Sequence, residues 1–231
     1  MPHDMTLIYY TANRIGEEFG RRVRAHIARL AEALGLPIIS VSQRPVELGE
    51  NICLGEIGFS TYNVYRQVLA GAEAAETEFV ACCEDDTLYT AEHLAARPPE
   101  DEFWYNTARW WVEPQGVYRW RNRTAMHACV APRQLMVETL LARFAAYPTP
   151  LWSKRELRSW GEPGRYEGNL NLPQVKREFF TTGDPIVTFD HKGSLYGLRR
   201  WNPDDRLQEW LAPWGRAKDL LKEFAADGKT R

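Results

Sequence analysis

Apolar positions along this chain recur at two different spacings, and the spacing identifies the elements. Residues 6–10 read as a short strand that stops at Thr11-Ala12-Asn13. Over 17–34, Val23, Ile27, Leu30 and Leu34 repeat at helical intervals. Gly35 is placed to end that helix, and Pro37 forbids its continuation. Residues 38–42 then predict a second strand and complete a β-α-β unit. In open α/β sheets nucleotides bind where the first strand gives way to its loop. Residues 43–59 read as a loop carrying Gly49, Gly55 and Gly58. Ser60 or Thr61 is suited to cap a helix reaching about Ala75, and 78–83 predicts a third strand.

Beyond Pro98-Pro99 the pattern loosens. FWYNTARWWV, GVYRWRN and MHACVAP read as mixed strand and loop, 132–144 as a helix, and 147–168 as a long loop with a short helical piece. Residues 185–189 predict a strand leading into Asp190-His191-Lys192-Gly193-Ser194, and 203–226 predict a closing helix with a frayed tail. No linker divides the chain. The expectation is one domain over 1–231, with 1–98 suited to a nucleotide and the aromatic remainder, 99–231, suited to an acceptor and a closing segment.

Composition adjusts this picture in four places. The formal net charge of -2 supplies no global basic field for nucleic acid, although Arg119, Arg121 and Arg123, and Arg199-Arg200 beside Trp201, form local clusters. No apolar run approaches the roughly 20 residues that span a bilayer. The opening MPHDMTLIYY lacks a signal-peptide layout, so a cytoplasmic protein without a membrane span is expected. Cys53, Cys82, Cys83 and Cys129 lack zinc-site spacing and read as reduced, mostly buried thiols. Nine Trp, ten Tyr and nine Phe are a heavy aromatic load, and indole faces suit stacking on sugars or bases.

The candidate chemistry lies at the end of the third strand, where Glu84-Asp85-Asp86 follows the apolar EFVACC. Adjacent carboxylates repel, and a divalent ion relieves that repulsion. Hard Mg²⁺ or Mn²⁺ prefers carboxylate and phosphate oxygens. If strand alternation continues through the triplet, Glu84 and Asp86 share a side and Asp85 points away. One acid can then meet a ribose while another holds the metal that bridges a diphosphate. A solvated acidic turn is the plain alternative.

The stretch FVACCEDDTLYTAEHL resembles the D-x-D region of family-2-like GT-A glycosyltransferases, with Glu84 in the first acidic place. The strand ending at Thr11-Ala12-Asn13 and the loop and helix 58–75 fit the same pattern. The resemblance implies an α/β fold of the GT-A (Rossmann-like) kind, a single mixed central sheet flanked by helices. It also implies transfer of a sugar from a nucleotide-diphosphate sugar, a UDP-sugar favoured, to a hydroxyl acceptor with Mn²⁺ or Mg²⁺.

In that frame Asp86 and His191 are the expected metal ligands. Thr11, Ala12, Asn13, Arg66, Glu84, Asp85, Lys192 and Ser194 are expected around the donor, with Arg199-Arg200 closing over the diphosphate and Arg14 and Arg44 as further phosphate or base contacts. An inverting transferase needs a carboxylate base. Glu162, between Gly161 and Pro163, is the first candidate and Glu167 the second. Trp110, Trp111 and Trp160 are the expected acceptor-stacking residues, while His93 and His127 read as structural. The competing expectations are a phage-type enzyme acting on hydroxymethylated pyrimidines in DNA, a nucleotidyltransferase, and a non-catalytic sugar-binding module. For DNA, RWRNR and LRRW would supply the basic groove.

Overall fold

Every residue from Met5 to Thr11 is buried, which marks this strand as the centre of a sheet covered on both faces. The computed structural model describes residues 4–120, 123–149, 160–194 and 205–224. Its first half contains β1 (Met5–Thr11), α1 (Glu17–Leu34), β2 (Ile38–Ser42), β3 (Glu50–Cys53), α2 (Thr61–Ala74) and β4 (Phe79–Glu84). There follow β5 (Thr87–Leu88), α3 (Ala91–Leu94), β6 (Glu102–Asn106), β7 (Arg109–Glu113), β8 (Val117–Trp120), β9 (Cys129–Pro132) and α4 (Arg133–Ala146). The last elements are β10 (Lys176–Phe180), β11 (Ile186–Phe189), β12 (Arg206–Gln208), β13 (Trp210–Leu211), β14 (Gly215–Arg216) and α5 (Ala217–Phe224).

Seven strands form the central sheet in the order β10-β6-β9-β4-β1-β2-β3. β1 is parallel to both β2 and β4, whereas β9 runs antiparallel to β4 and β6. Alternation along the strands feeds two cores. Leu7, Tyr9, Ala81 and Cys83 face Val23, Ile27 and Ala31 of α1 on one side. Ile8, Tyr10, Val80 and Cys82 face Tyr65, Val68 and Ala72 of α2 and Met136 and Leu140 of α4 on the other. The fold is therefore mixed α/β, as the periodicity predicts, with a mixed central sheet between helices, as the resemblance implies. Gly35 ends α1 in the left-handed conformation at φ 65°, and Ser60 caps α2 by accepting from the Asn63 N–H.

A second sheet of five strands, β12-β8-β7-β11-β5, stands beside the first. One face of it packs Val112, Tyr118, Val187 and Phe189 against Leu220 and Phe224 of α5. The other face is polar yet buried. It carries Arg109, Trp111, Glu113, Arg119 and Thr188, each under 5% exposed. Arg119 is paired with Glu113, with Asp190 at 3.3 Å and with Asp205 at 3.2 Å.

Two segments differ from the sequence-based expectation. β3 emerges inside the predicted loop 43–59 because its support lies in side chains rather than in apolar alternation. Asn51 donates to the Ser40 carbonyl and to the hydroxyls of Ser40 and Ser42, which fastens a polar edge strand to β2. The helix expected over 203–226 is confined to Ala217–Phe224. Pro213 and the left-handed Gly215 break the preceding residues into the β13–β14 hairpin. No described helix is long and apolar enough to cross a membrane.

The contact of α2 with the sheet generates a first prediction. A Cβ on Gly71 would lie 2.5 Å from Ile8 Cγ2 and 3.3 Å from Val41 Cγ2. Gly71→Ala should destabilise the protein by about 1–3 kcal/mol through overpacking, despite its better helix propensity. Urea unfolding measures this, and a stabilised variant would contradict the close approach.

A second prediction concerns acid. His93 is fully buried, its Nδ1 accepts from the Asn106 amide at 3.2 Å, and its ring stacks on Phe180. Burial, helped by the nearby His127, pushes its pKa down to about 3 from 6.5. The folded protein therefore keeps this ring neutral while the unfolded chain protonates it, so stability is lost as pH falls from about 6.5 toward 3. Compared with His93→Gln, the wild type should lose about 1.4 kcal/mol more per pH unit across that window. A pH-independent stability difference between the two proteins would refute this.

Candidate functional site

Strand order locates the site before any side chain is considered. From β1 the chain moves to β2 and β3 on one side, then returns to lay β4 against the other side of β1. This reversal opens a crevice beyond the carboxyl ends of β1 and β4, the position where open α/β sheets bind ligands. Thr11 and Glu84 end those two strands. Gln67, buried in α2, donates to the carbonyls of Thr11 at 2.7 Å and Val41 at 3.0 Å and so pins the ends of β1 and β2 together.

The acidic triplet does not follow strand alternation. β4 stops at Glu84, and Asp85 and Asp86 form a turn that carries the chain from the central sheet into β5 of the second sheet. Each acid consequently takes its own direction, and Asp85 does not point away. The Thr11 hydroxyl donates to Asp85 Oδ2 and accepts from the Asn13 N–H at 2.8 Å. Burial, then the charge of Asp86, pushes the Asp85 carboxyl up to about 7, partly countered by the Thr11 hydrogen bond.

Asp86 is brought to His191 by strand register. β5 and β11 pair with Thr87 opposite Thr188, and the Phe189 N–H donates to the Asp86 carbonyl at 2.9 Å. Two residues further on, His191 Nε2 lies 3.1 Å from Asp86 Oδ2. Burial alone would lower the His191 pKa, but its hydrogen bond to Asp86 and the charges of Asp86, Asp85 and Asp190 raise it overall. Asp86 and its pair are therefore shielded but not sealed, with the imidazole 25% exposed.

Glu84 turns toward the 3-10 turn that precedes β9, where its Oε2 lies 2.6 Å from His127 Nδ1. Sequence alone offered no such role for His127, because its partner lies 43 positions away on another element.

The loops around this centre divide between shaping and lining it. Asn13, at φ 54°, accepts on its side-chain oxygen from the N–H groups of Gln43 and Arg44, each at 2.9 Å. Its side chain is thus occupied in joining two loops, and Arg44 returns a bond to the Asn13 carbonyl at 2.6 Å. Ala12 is half-buried beside them. Lys192 and Ser194 share the turn with His191, closed by the Ser194 N–H on the His191 carbonyl at 3.2 Å. A Cβ on Gly193 would lie 3.7 Å from the Arg14 carbonyl, so this turn sits over the end of β1. Arg66 is exposed on α2 between the buried Tyr65 and Gln67 and faces away from the sheet that carries the triplet. Arg121, Arg199, Arg200 and Trp201 lie outside the described residues.

Glu162 is half-buried, 3.8 Å from Arg165, and its charge acts on the phenols of Tyr65 and Tyr105. Glu167 is not available as a base. It is buried, accepts from Arg143 and from the Gly164 N–H, and serves as a structural counter-ion. Two expected stacking residues are also corrected. Trp160 is buried among Tyr62, Tyr65 and Phe144, and Trp111 is buried with the Arg109 guanidinium 3.9 Å from its ring centre. Neither offers an open face. Trp110 lines a cavity of about 320 Å³ with Pro185 and Trp210 at the start of β11, the strand end opposite His191. Arg119, expected within a basic surface groove, is instead enclosed by three carboxylates.

No family model and no curated protein matches the sequence. Among solved structures, the chain is similar to a glycosyltransferase involved in glycosylation of the major capsid of PBCV-1. The identity is 10% and the TM-score 0.49, covering 80% of this chain and 91% of that one. It is also similar to a mutant Drosophila β1,4-galactosyltransferase 7 in complex with manganese, UDP-Gal and xylobiose, at 14% identity and TM-score 0.45 over 87% and 77% of the two chains. A third similarity is to S. aureus TarS, at 10% and 0.46 over 82% and 61%. With each of these TM-scores below 0.5, the likenesses assign no role to individual residues here.

Proposed function

We propose that this protein is a metal-dependent glycosyltransferase of the GT-A kind, moving a sugar from a nucleotide-diphosphate sugar to a hydroxyl acceptor. The observation that carries the proposal is the meeting of Asp86 and His191, 105 positions apart in sequence, at the strand-order reversal beside Thr11 and Asp85. Residues 1–98 form the donor half in this reading and 99–231 the acceptor half.

The donor set suits Mg²⁺ or Mn²⁺. Such ions are held by one or two carboxylates together with substrate phosphates, and imidazole nitrogen is acceptable to Mn²⁺. Among the described residues no group of three or more His, Cys, Asp or Glu side chains gathers as a complete cage. That agrees with a site whose remaining ligands come from the diphosphate. Asp86 and His191 would hold the ion, and the Asp85 carboxyl, raised first by burial and then by the charge of Asp86, sits in an environment that a cation relieves. When bound, the ion supplies positive charge against the diphosphate leaving group. Thr11, Ala12 and Asp85 line the nucleoside side, Glu84 meets the ribose, and Lys192 and Ser194 lie over the phosphates. A UDP-sugar is the favoured donor. Glu162 takes the acceptor proton if configuration is inverted.

Calorimetry with UDP and MnCl₂ tests the donor side. Wild-type protein should bind only when both are present, and Asp86→Ala should abolish metal-dependent binding and turnover while leaving the fold intact. His191→Ala should weaken the Mn²⁺ dependence. Binding that ignores the metal, or an Asp86→Ala variant of wild-type rate, would sink the proposal. Glu162→Gln tests the base. It should lower kcat by about 10²–10⁴-fold with donor affinity unchanged. An unchanged kcat would remove Glu162 from the chemistry, and release of the sugar's phosphate ester rather than a glycoside would favour a nucleotidyltransferase.

A further inference from the structure

We infer that His127 is a positioning residue for the donor site, holding the Glu84 carboxylate in place. This rests on the glycosyltransferase reading, in which Glu84 contacts the ribose and Asp86 the metal.

Arg109 Nη1 can only donate, and it lies 3.0 Å from His127 Nε2, so Nε2 is an acceptor. A neutral ring then carries its hydrogen on Nδ1, which donates to Glu84 Oε2 at 2.6 Å. The tautomer is thus set by the guanidinium behind it. The orientation is set as well, because His127 is buried and lies within the 3-10 turn Met126–Ala128 that leads into β9.

The far side of the ring leads back to the triplet. His127 Nε2 also lies 3.1 Å from the Thr188 hydroxyl, which lies 3.0 Å from the Thr87 hydroxyl. Thr87 in turn donates to Asp86 Oδ1 at 3.0 Å. Asp86 Oδ2 is the oxygen that faces His191. Thr87 gives its hydrogen to Asp86, so the one hydrogen of Thr188 serves either His127 or Thr87, and the three side chains lie buried together between Glu84 and Asp86. Glu84 is the last residue of β4, and the bond to His127 fixes the direction its carboxylate takes at the strand end. Outer groups of this kind hold binding carboxylates at their working angle and are costly to remove.

The two ends of the imidazole can be tested separately. Asn at 127 places an amide N–H near the position of Nδ1, whereas Gln reaches toward Nε2 and keeps a polar group against Arg109. Affinity for UDP is measured calorimetrically in the presence of Mn²⁺, with melting temperatures recorded for every variant. His127→Gln should weaken UDP about tenfold, while His127→Asn should stay within about twofold of wild type. In a Glu84→Ala background, His127→Gln should cost nothing further. Equal losses in the Asn and Gln variants, no loss in either, or additive losses with Glu84→Ala would overturn the positioning role. If E84A binds UDP too weakly to read, the Asn/Gln contrast decides alone. A wild-type protein that binds no UDP with Mn²⁺ overturns the glycosyltransferase reading and this inference with it. Wild-type binding combined with any of the adverse variant results overturns this inference alone.

Discussion

One short length of chain, from Phe79 to Leu88, belongs to both sheets, and everything at the candidate site depends on how it passes between them. β4 is bonded on one side to β1 and on the other to β9, so its end cannot move without the central sheet. β5 begins two residues later and is bonded to β11. The intervening turn is Asp85-Asp86, and it has no room to relax because both flanks are fixed. The repulsion between neighbouring carboxylates is therefore met by directing them apart. Glu84 goes to an imidazole, Asp85 to a hydroxyl, and Asp86 to a second imidazole and a second hydroxyl.

Rigidity behind this turn comes from buried charge rather than from apolar packing alone. Arg119, fully enclosed, joins β7 through Glu113, the strand exit through Asp190, and the start of β12 through Asp205. Removing one partner from such a group leaves an uncompensated charge and costs several kcal/mol. The arrangement is therefore intolerant of partial change. Asp190 precedes His191, so the same guanidinium that knits the second sheet also steadies the residue facing Asp86. Arg143 and Glu167 do comparable work on the opposite side, fastening α4 to the segment that presents Glu162.

Much of the first half was legible because its signals are local. The 3.6-residue repeat of α1, its glycine stop, the Ser60 cap and the apolar run before Glu84 each sit within a few positions of the feature they determine. The second half hid its organisation in long-range pairing. Within 203–226 Pro213 and Gly215 speak against a continuous helix, and the strands there follow from pairing: β12 with β8 of the second sheet, and β13 with β14. The site shows the same division. The pairing of Asp86 with His191 is implied by the family resemblance, since residue type alone leaves a histidine after a strand as structural, and the two side chains do lie 3.1 Å apart. Trp111 and Trp160 could not be told from surface platforms, because an indole that fills a core and one that stacks on a ligand are spelled alike. His127 was passed over for a related reason: its significance lies in Glu84, Arg109 and Thr188, which come from three different strands.

The β5–β11 ladder carries one consequence for how such a chain can vary. His191 reaches Asp86 because three peptide steps separate it from Thr188, the residue locked opposite Thr87. The identities of the intervening residues are open to exchange within the limits of packing and of the Asp190–Arg119 pair. Their number is not. A single residue inserted or deleted between Phe189 and His191 would carry the imidazole away from Asp86. The chain can thus drift in letters along this stretch, but its length behaves as a measured distance.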